Sequence, residues 1–141
     1  QRFIDYVREK GLAKSPERLQ IVMKAHIDNE ILRLFGLRNY WMYSRRDEMT
    51  YHGSQQSLWR RESGLRTADA IREVAGLYSL LDFNDPLAGL GGELEVHQRE
   101  SLTAAHPGGT IEIQKVIIAR RLGISRTKER AAPTPSTVAA D

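Results

Sequence analysis

Cysteine is absent from all 141 residues. Neither a disulfide framework nor thiolate chemistry is therefore open to the chain, and a cytoplasmic setting is the expectation. No apolar run approaches the ~18 residues of a spanning helix, so no membrane partner is expected. Charge of one sign is also scarce. The net charge is +3, which describes a mixed, solvated surface that still permits an anionic ligand. The arginine pairs at 45–46, 60–61 and 120–121 are scattered rather than striped along one helix, and no nucleic-acid partner is expected. They read as solvated faces. His26 and Glu30 lie four residues apart, but two ligands do not make a metal site, and no metal is expected. There is no phosphate-cradling P-loop and no internal repeat. The opening Gln1-Arg2-Phe3-Ile4-Asp5-Tyr6 is neither a signal peptide nor a natural start, so the chain is expected to belong to a longer polypeptide.

The apolar residues recur at helical spacing, and no alternating strand pattern interrupts them. Residues 1–10 read as the end of a longer helix closed by Gly11. Ser15-Pro16 restarts a helix, with Ser15 as N-cap and Pro16 at the first position. Its stripe of Leu19, Val22, Met23, Ile27, Ile31, Leu34 and Trp41 carries the helix to about residue 46. A second helix over 54–80 is spaced by Leu58, Leu65, Ala68, Ile71, Ala75 and Tyr78. Residues 82–109 are glycine-rich and irregular, with a short helix at 93–102. The tail after Arg126 has the composition of a disordered segment, giving a helical domain over 1–126 and a tail over 127–141.

The most informative stretch runs from Gly108 to Gly123. His106-Pro107-Gly108-Gly109 cannot continue a helix, because proline lacks the donor and glycine is conformationally loose. Thr110 is a good N-cap. Glu112 falls in the first turn, where the helix dipole favours a carboxylate. Ile113, Val116, Ile117 and Leu122 form an apolar stripe before Gly123. Both an ordinary helix start and a loop whose backbone approaches a ligand have this composition.

Gly108-Gly109-Thr110-x-Glu112-Ile113-Gln114, followed by Ile117-Ile118-Ala119-Arg120-Arg121-Leu122-Gly123, resembles the last core helix of the acyl-CoA dehydrogenase family, with Ile111 replacing the usual serine. Residues 16–41 and the helix over 54–80 resemble the same family more loosely. The resemblance implies an all-α, up-down four-helix bundle of the family's C-terminal type with its first helix incomplete. It implies a part of a flavin-dependent enzyme of lipid metabolism that oxidises an acyl-CoA to the 2,3-enoyl-CoA. Its cofactor is FAD in a shared site. Its partners are the acyl-CoA substrate, a flavoprotein electron acceptor, and further copies or sister subunits in an oligomer. Thr110 and Glu112 would lie beside the cofactor, and Gly108 and Gly109 beside the substrate thioester, which the Gly108 N–H could polarise.

The chain departs from that pattern at two places. In many members a glutamate two residues before the motif threonine takes the α-proton; here that position is Gly108, so no catalytic base is assigned. A Gln-x-Phe-Gly-Gly run that approaches the flavin pyrophosphate corresponds to Gly76-Leu77-Tyr78-Ser79-Leu80-Leu81, where the glutamine and paired glycines are gone. The isolated chain is therefore expected to be inactive. The alternative is a non-catalytic partner subunit of a heteromeric acyl-CoA dehydrogenase.

Overall fold

The computed structural model describes residues 2–125 and is all-helical, with no strand among them. Five α-helices follow in order: α1 (Arg2–Glu9), α2 (Pro16–Ser44), α3 (His52–Ala75), α4 (Glu93–Ala104) and α5 (Ile111–Arg121). Two short 3-10 turns, Gly76–Leu80 and Gly89–Gly92, lie between α3 and α4. The proposed tail over 127–141 lies outside the described residues.

The local rules that start these helices are visible. Ser15 caps α2 by accepting from the Arg18 N–H at 3.3 Å, and Pro16 fills the first position, where no backbone donor is needed. Gly11 sits at φ +60, the left-handed backbone that ends a helix. The helix read over 54–80 closes earlier as an α-helix, at Ala75. Gly76 at φ +60, ψ −147 turns the chain out of it, and residues 76–80 tighten into a 3-10 turn.

α3 is the central element, packed against α2 on one side and against α4 and α5 on others. Asn39 meets Gln56, Asp28 meets Arg66, and Val22 meets Val74, so α2 and α3 run antiparallel. At mid-length the Trp59 indole donates to the Asp28 carbonyl at 2.9 Å, while Arg66 forks onto the Asp28 carboxylate at 2.8 and 3.1 Å.

The apolar core occupies one end of this pair. Val7, Val22 and Val74 form one cluster, and Ile71, Ala75 and Leu94 form another. Phe3, Tyr6 and Leu12 contact both. Of the residues read as the α3 stripe, Ala68, Ile71 and Ala75 are buried, while Tyr78 is exposed. Ile71→Ala is expected to destabilise the fold by about 2–5 kcal/mol, because the site is closed on all sides and leaves a cavity. Urea denaturation of the variant measures this. A loss under about 1 kcal/mol would show that this cluster is not the core.

Two expectations about packing are corrected. The α2 stripe does not face the core. Of its members Val22 is buried and Ile31 half-buried, but Leu19, Met23, Ile27, Leu34 and Trp41 are 43–54 % exposed, as is Leu37 beside them. The buried positions of α2 are Val22, Ala25 and Asn39, on the other side of the helix. On α5, likewise, Ile113, Val116 and Leu122 are exposed and Gln114 is buried. A helix that is apolar around much of its circumference does not reveal its inward face by periodicity alone.

The loop over 82–92 is packed rather than loose. A Cβ on Gly92 would lie 2.6 Å from the Phe83 backbone nitrogen, so only glycine lets these strands of chain touch. Leu90, at φ 51, and the two glycines after it are all left-handed, and they deliver the chain to the start of α4.

Candidate functional site

The Gly108–Glu112 turn sits at the half of the bundle opposite the apolar core, against the first turns of α3. Its shape follows from its sequence. Pro107 ends the approach from α4. Gly108 and Gly109 then take φ +72 and +94, a pair of left-handed residues that side chains disfavour. Thr110 returns to extended backbone and caps α5, its Oγ1 accepting from the Ile113 N–H at 3.4 Å.

Beneath the turn lies a guanidinium. Arg61 on α3 is only 3 % exposed, and it donates to the Pro107 carbonyl oxygen and to Ser57. Its Nε has no hydrogen-bond partner. From the other side, Gln114, 5 % exposed, donates from Nε2 to the Gly108 carbonyl at 3.0 Å. Lys115 pairs with Glu62 at 2.9 Å and ties α5 to α3 beside them. The reading of Arg60-Arg61 as a solvated pair is thus half right: Arg60 is exposed and Arg61 is buried. The missed signal was position. Arg61 lies three residues after Leu58 and four before Leu65, inside the buried stripe of α3.

Glu112 is exposed at the first turn of α5. Its own backbone N–H and the Thr110 hydroxyl hold its carboxyl below the usual carboxylate range. A carboxylate held ionised in this way is a weaker proton acceptor than a free one. The sign of the linkage follows. A lowered folded-state pKa stabilises the fold above the unfolded-state value, and the contribution is lost as pH falls through the folded value. Thr110→Val is expected to raise the Glu112 pKa part of the way back, because the amide contact remains. It is also expected to cost about 1 kcal/mol as a lost cap. A carboxyl-carbon NMR titration follows the first effect, and a Glu112 titration unmoved by the substitution would contradict this arrangement.

The other singled-out residues lie apart from the turn. Glu30 accepts from Arg33 at 2.8 Å. Among the described residues no group of three His, Asp or Glu side chains converges on one point. In the 76–81 stretch Leu77, Tyr78 and Leu80 are exposed and one residue faces inward. Ser79 is fully buried, donating to the Gly76 carbonyl at 2.7 Å, and its own carbonyl accepts from Gln98 at 2.7 Å.

Hollows are small near the turn. A 180 Å³ depression between α3 and α4 is bordered by Arg61, His97 and Glu100. That is well below the ~300–1,000 Å³ of a typical ligand site. A wider groove of 580 Å³ opens elsewhere, between Tyr6, Tyr78, Leu87 and Leu90. No protein-family model, curated protein or solved structure matches the chain. Among the described residues no helix is long and apolar enough to cross a membrane.

Proposed function

We propose that the chain is the C-terminal helical part of a flavin-dependent acyl-CoA dehydrogenase, with the Gly108–Glu112 turn beside the cofactor and the substrate thioester. One observation carries the reading. The stretch that resembles the family's last core helix folds as a two-glycine left-handed turn feeding a capped helix N-terminus, the local form that lets backbone donors approach polar ligand atoms. The antiparallel α2–α3 pair and the central place of α3 are compatible with a four-helix bundle lacking part of its first helix.

The fit to FAD is divided. At the turn the residues suit it: exposed amides, the Thr110 hydroxyl and a helix N-terminus lie together, with Glu112 beside them. At residues 76–81 they do not, since Ser79 and Leu80 stand where paired glycines would let backbone approach a pyrophosphate, Ser79 turned inward and Leu80 carrying an exposed side chain. Bound flavin would supply the hydride acceptor. The chain's own residues would orient the thioester and hold polar cofactor atoms, without abstracting the α-proton. That division favours the second form of the proposal, a non-catalytic sister subunit that completes part of a partner's site.

The reading is tested by adding acyl-CoAs of several lengths, without oxygen, to the assembly that contains this chain. Loss of the visible flavin band with at least one of them is expected. A flavin that no acyl-CoA reduces would contradict the proposed substrate class.

A further inference from the structure

We propose that the hollow between α3 and α4, bordered by Arg60, Arg61 and His97, is a binding site for one phosphate-like oxyanion, which supplies the counter-charge that Arg61 lacks among the described residues. The inference does not rest on the acyl-CoA reading.

Arg61 is a buried charge. It is 3 % exposed, and a guanidinium removed from water is costly unless a counter-charge takes the place of the water. Its hydrogen-bond partners are Ser57 and the Pro107 carbonyl, which are dipoles rather than charges. The adjacent carboxylate, Glu62, pairs with Lys115 at 2.9 Å instead. The Arg61 Nε is buried with no acceptor. A guanidinium stays protonated at any ordinary pH, so the charge cannot be shed.

A space borders that charge. α3 brings Arg60, Arg61 and Gly64 to one face, three and four residues apart, and α4 brings His97, Glu100 and Ser101 to it at the same spacing. Between them lies the 180 Å³ hollow. Gly64 is inside α3, where glycine weakens a helix relative to alanine. Nothing lies within 4 Å of the place its Cβ would take, so packing does not require the glycine. Its missing side chain leaves room in the hollow.

Size and charge select the ligand. The hollow is below the ~300–1,000 Å³ of a typical ligand site, so it takes one compact group rather than a nucleotide or a ring system. Two guanidiniums and an imidazole stand against one carboxylate, Glu100, so the balance is positive even with His97 neutral. Guanidinium N–H groups match the oxygens of a tetrahedral oxyanion, which accept several donors each. Arg60 and His97 are exposed and can turn onto it, while buried Arg61 attracts it through its charge.

Burial holds His97 below the usual imidazole range, against the opposing pull of Glu100. The other charges of the helices around it are Arg60, Arg61 and the Glu62–Lys115 pair that joins α3 to α5. A bound oxyanion favours the imidazolium. It therefore raises the His97 pKa, and by linkage binding tightens as pH falls through that value.

The test follows the His97 ring resonances of the full chain by NMR, in low salt, while inorganic phosphate is added. A saturable shift is expected. Glycerol 3-phosphate is titrated in parallel, and the tighter of the two shows whether free or esterified phosphate is the natural group. Arg60→Gln should weaken binding about threefold and Glu100→Gln should tighten it about threefold. Both side chains are exposed, so circular dichroism should not change. Sulfate, whose charge is fixed, serves for the pH series: its affinity should rise as His97 becomes protonated, and His97→Gln should abolish that rise. A guanidinium that only braces the Pro107 turn would give none of these opposite shifts. Phosphate that leaves His97 unmoved, or an affinity that neither Arg60→Gln nor Glu100→Gln changes, would overturn the inference.

Discussion

The double substitution Ile27→Glu/Leu34→Glu is expected to break the association of this chain with its own copies or with a sister subunit, leaving its helices intact. Leu19, Met23, Ile27, Leu34, Leu37 and Trp41 are spaced by 4, 4, 7, 3 and 4 residues along α2 and are 43–54 % exposed. At 3.6 residues per turn they fall within an arc of about 80°. They line most of a helix 29 residues long, roughly 43 Å from end to end. Exposed apolar strips of this kind are sites where proteins associate, and the expected association places this face in the contact. Burying each of two half-exposed side chains is worth on the order of 1 kcal/mol, and burying a carboxylate in its place adds a desolvation cost. Together these weaken association by two orders of magnitude or more. Glutamate is a good helix former, so circular dichroism should not change. Sedimentation of the unaltered chain should show concentration-dependent association that the variant lacks. A clean monomer of the unaltered chain at high concentration would contradict the assignment of this face.

The second large effect concerns chemistry. Purified alone, the chain is expected neither to turn over acyl-CoA nor to hold flavin in stoichiometric amount. Gly108 offers no proton acceptor, and the absence of a general base typically costs ~10²–10⁴ in rate. Glu112 is held below the usual carboxylate range by its own amide and by Thr110, which weakens it further as a base. The visible spectrum of the purified chain and a turnover assay across acyl-CoA lengths check this directly. A yellow, active chain would overturn it.

Much of the fold was legible in the residues, because it depends on local chemistry. Ser15-Pro16 and Thr110 announce helix starts through donors that only the N-terminal turn leaves open, and both cap as read. The lateral packing was less legible. α2 is apolar on both its buried and its exposed sides, so the stripe picked out by spacing was the outward one. The partner helix that decides between faces is a tertiary fact. The end of α3 was misplaced for a related reason: Leu77, Tyr78 and Leu80 continue the apolar composition, while Gly76 at φ +60 ends the helix.

The candidate site divides in the same way. Its turn was legible as a turn, because proline and paired glycines break one helix and a capping threonine starts the next, whatever the turn is for. Its floor was not. Arg61 looks in sequence like half of a surface arginine pair, and Gln114 like an exposed position beside an isoleucine. The place of Arg61 between Leu58 and Leu65 points inward, but the Pro107 and Gly108 carbonyls that Arg61 and Gln114 serve come into view only once the turn is closed.

The central claim is that the start of α5 lies against a flavin in the complete assembly. It is tested most directly by the flavin-to-protein ratio of that assembly carrying Thr110→Val and Glu112→Ala together. The account predicts a lower ratio than in the unaltered assembly, with the subunits still associated. An unchanged ratio would contradict it.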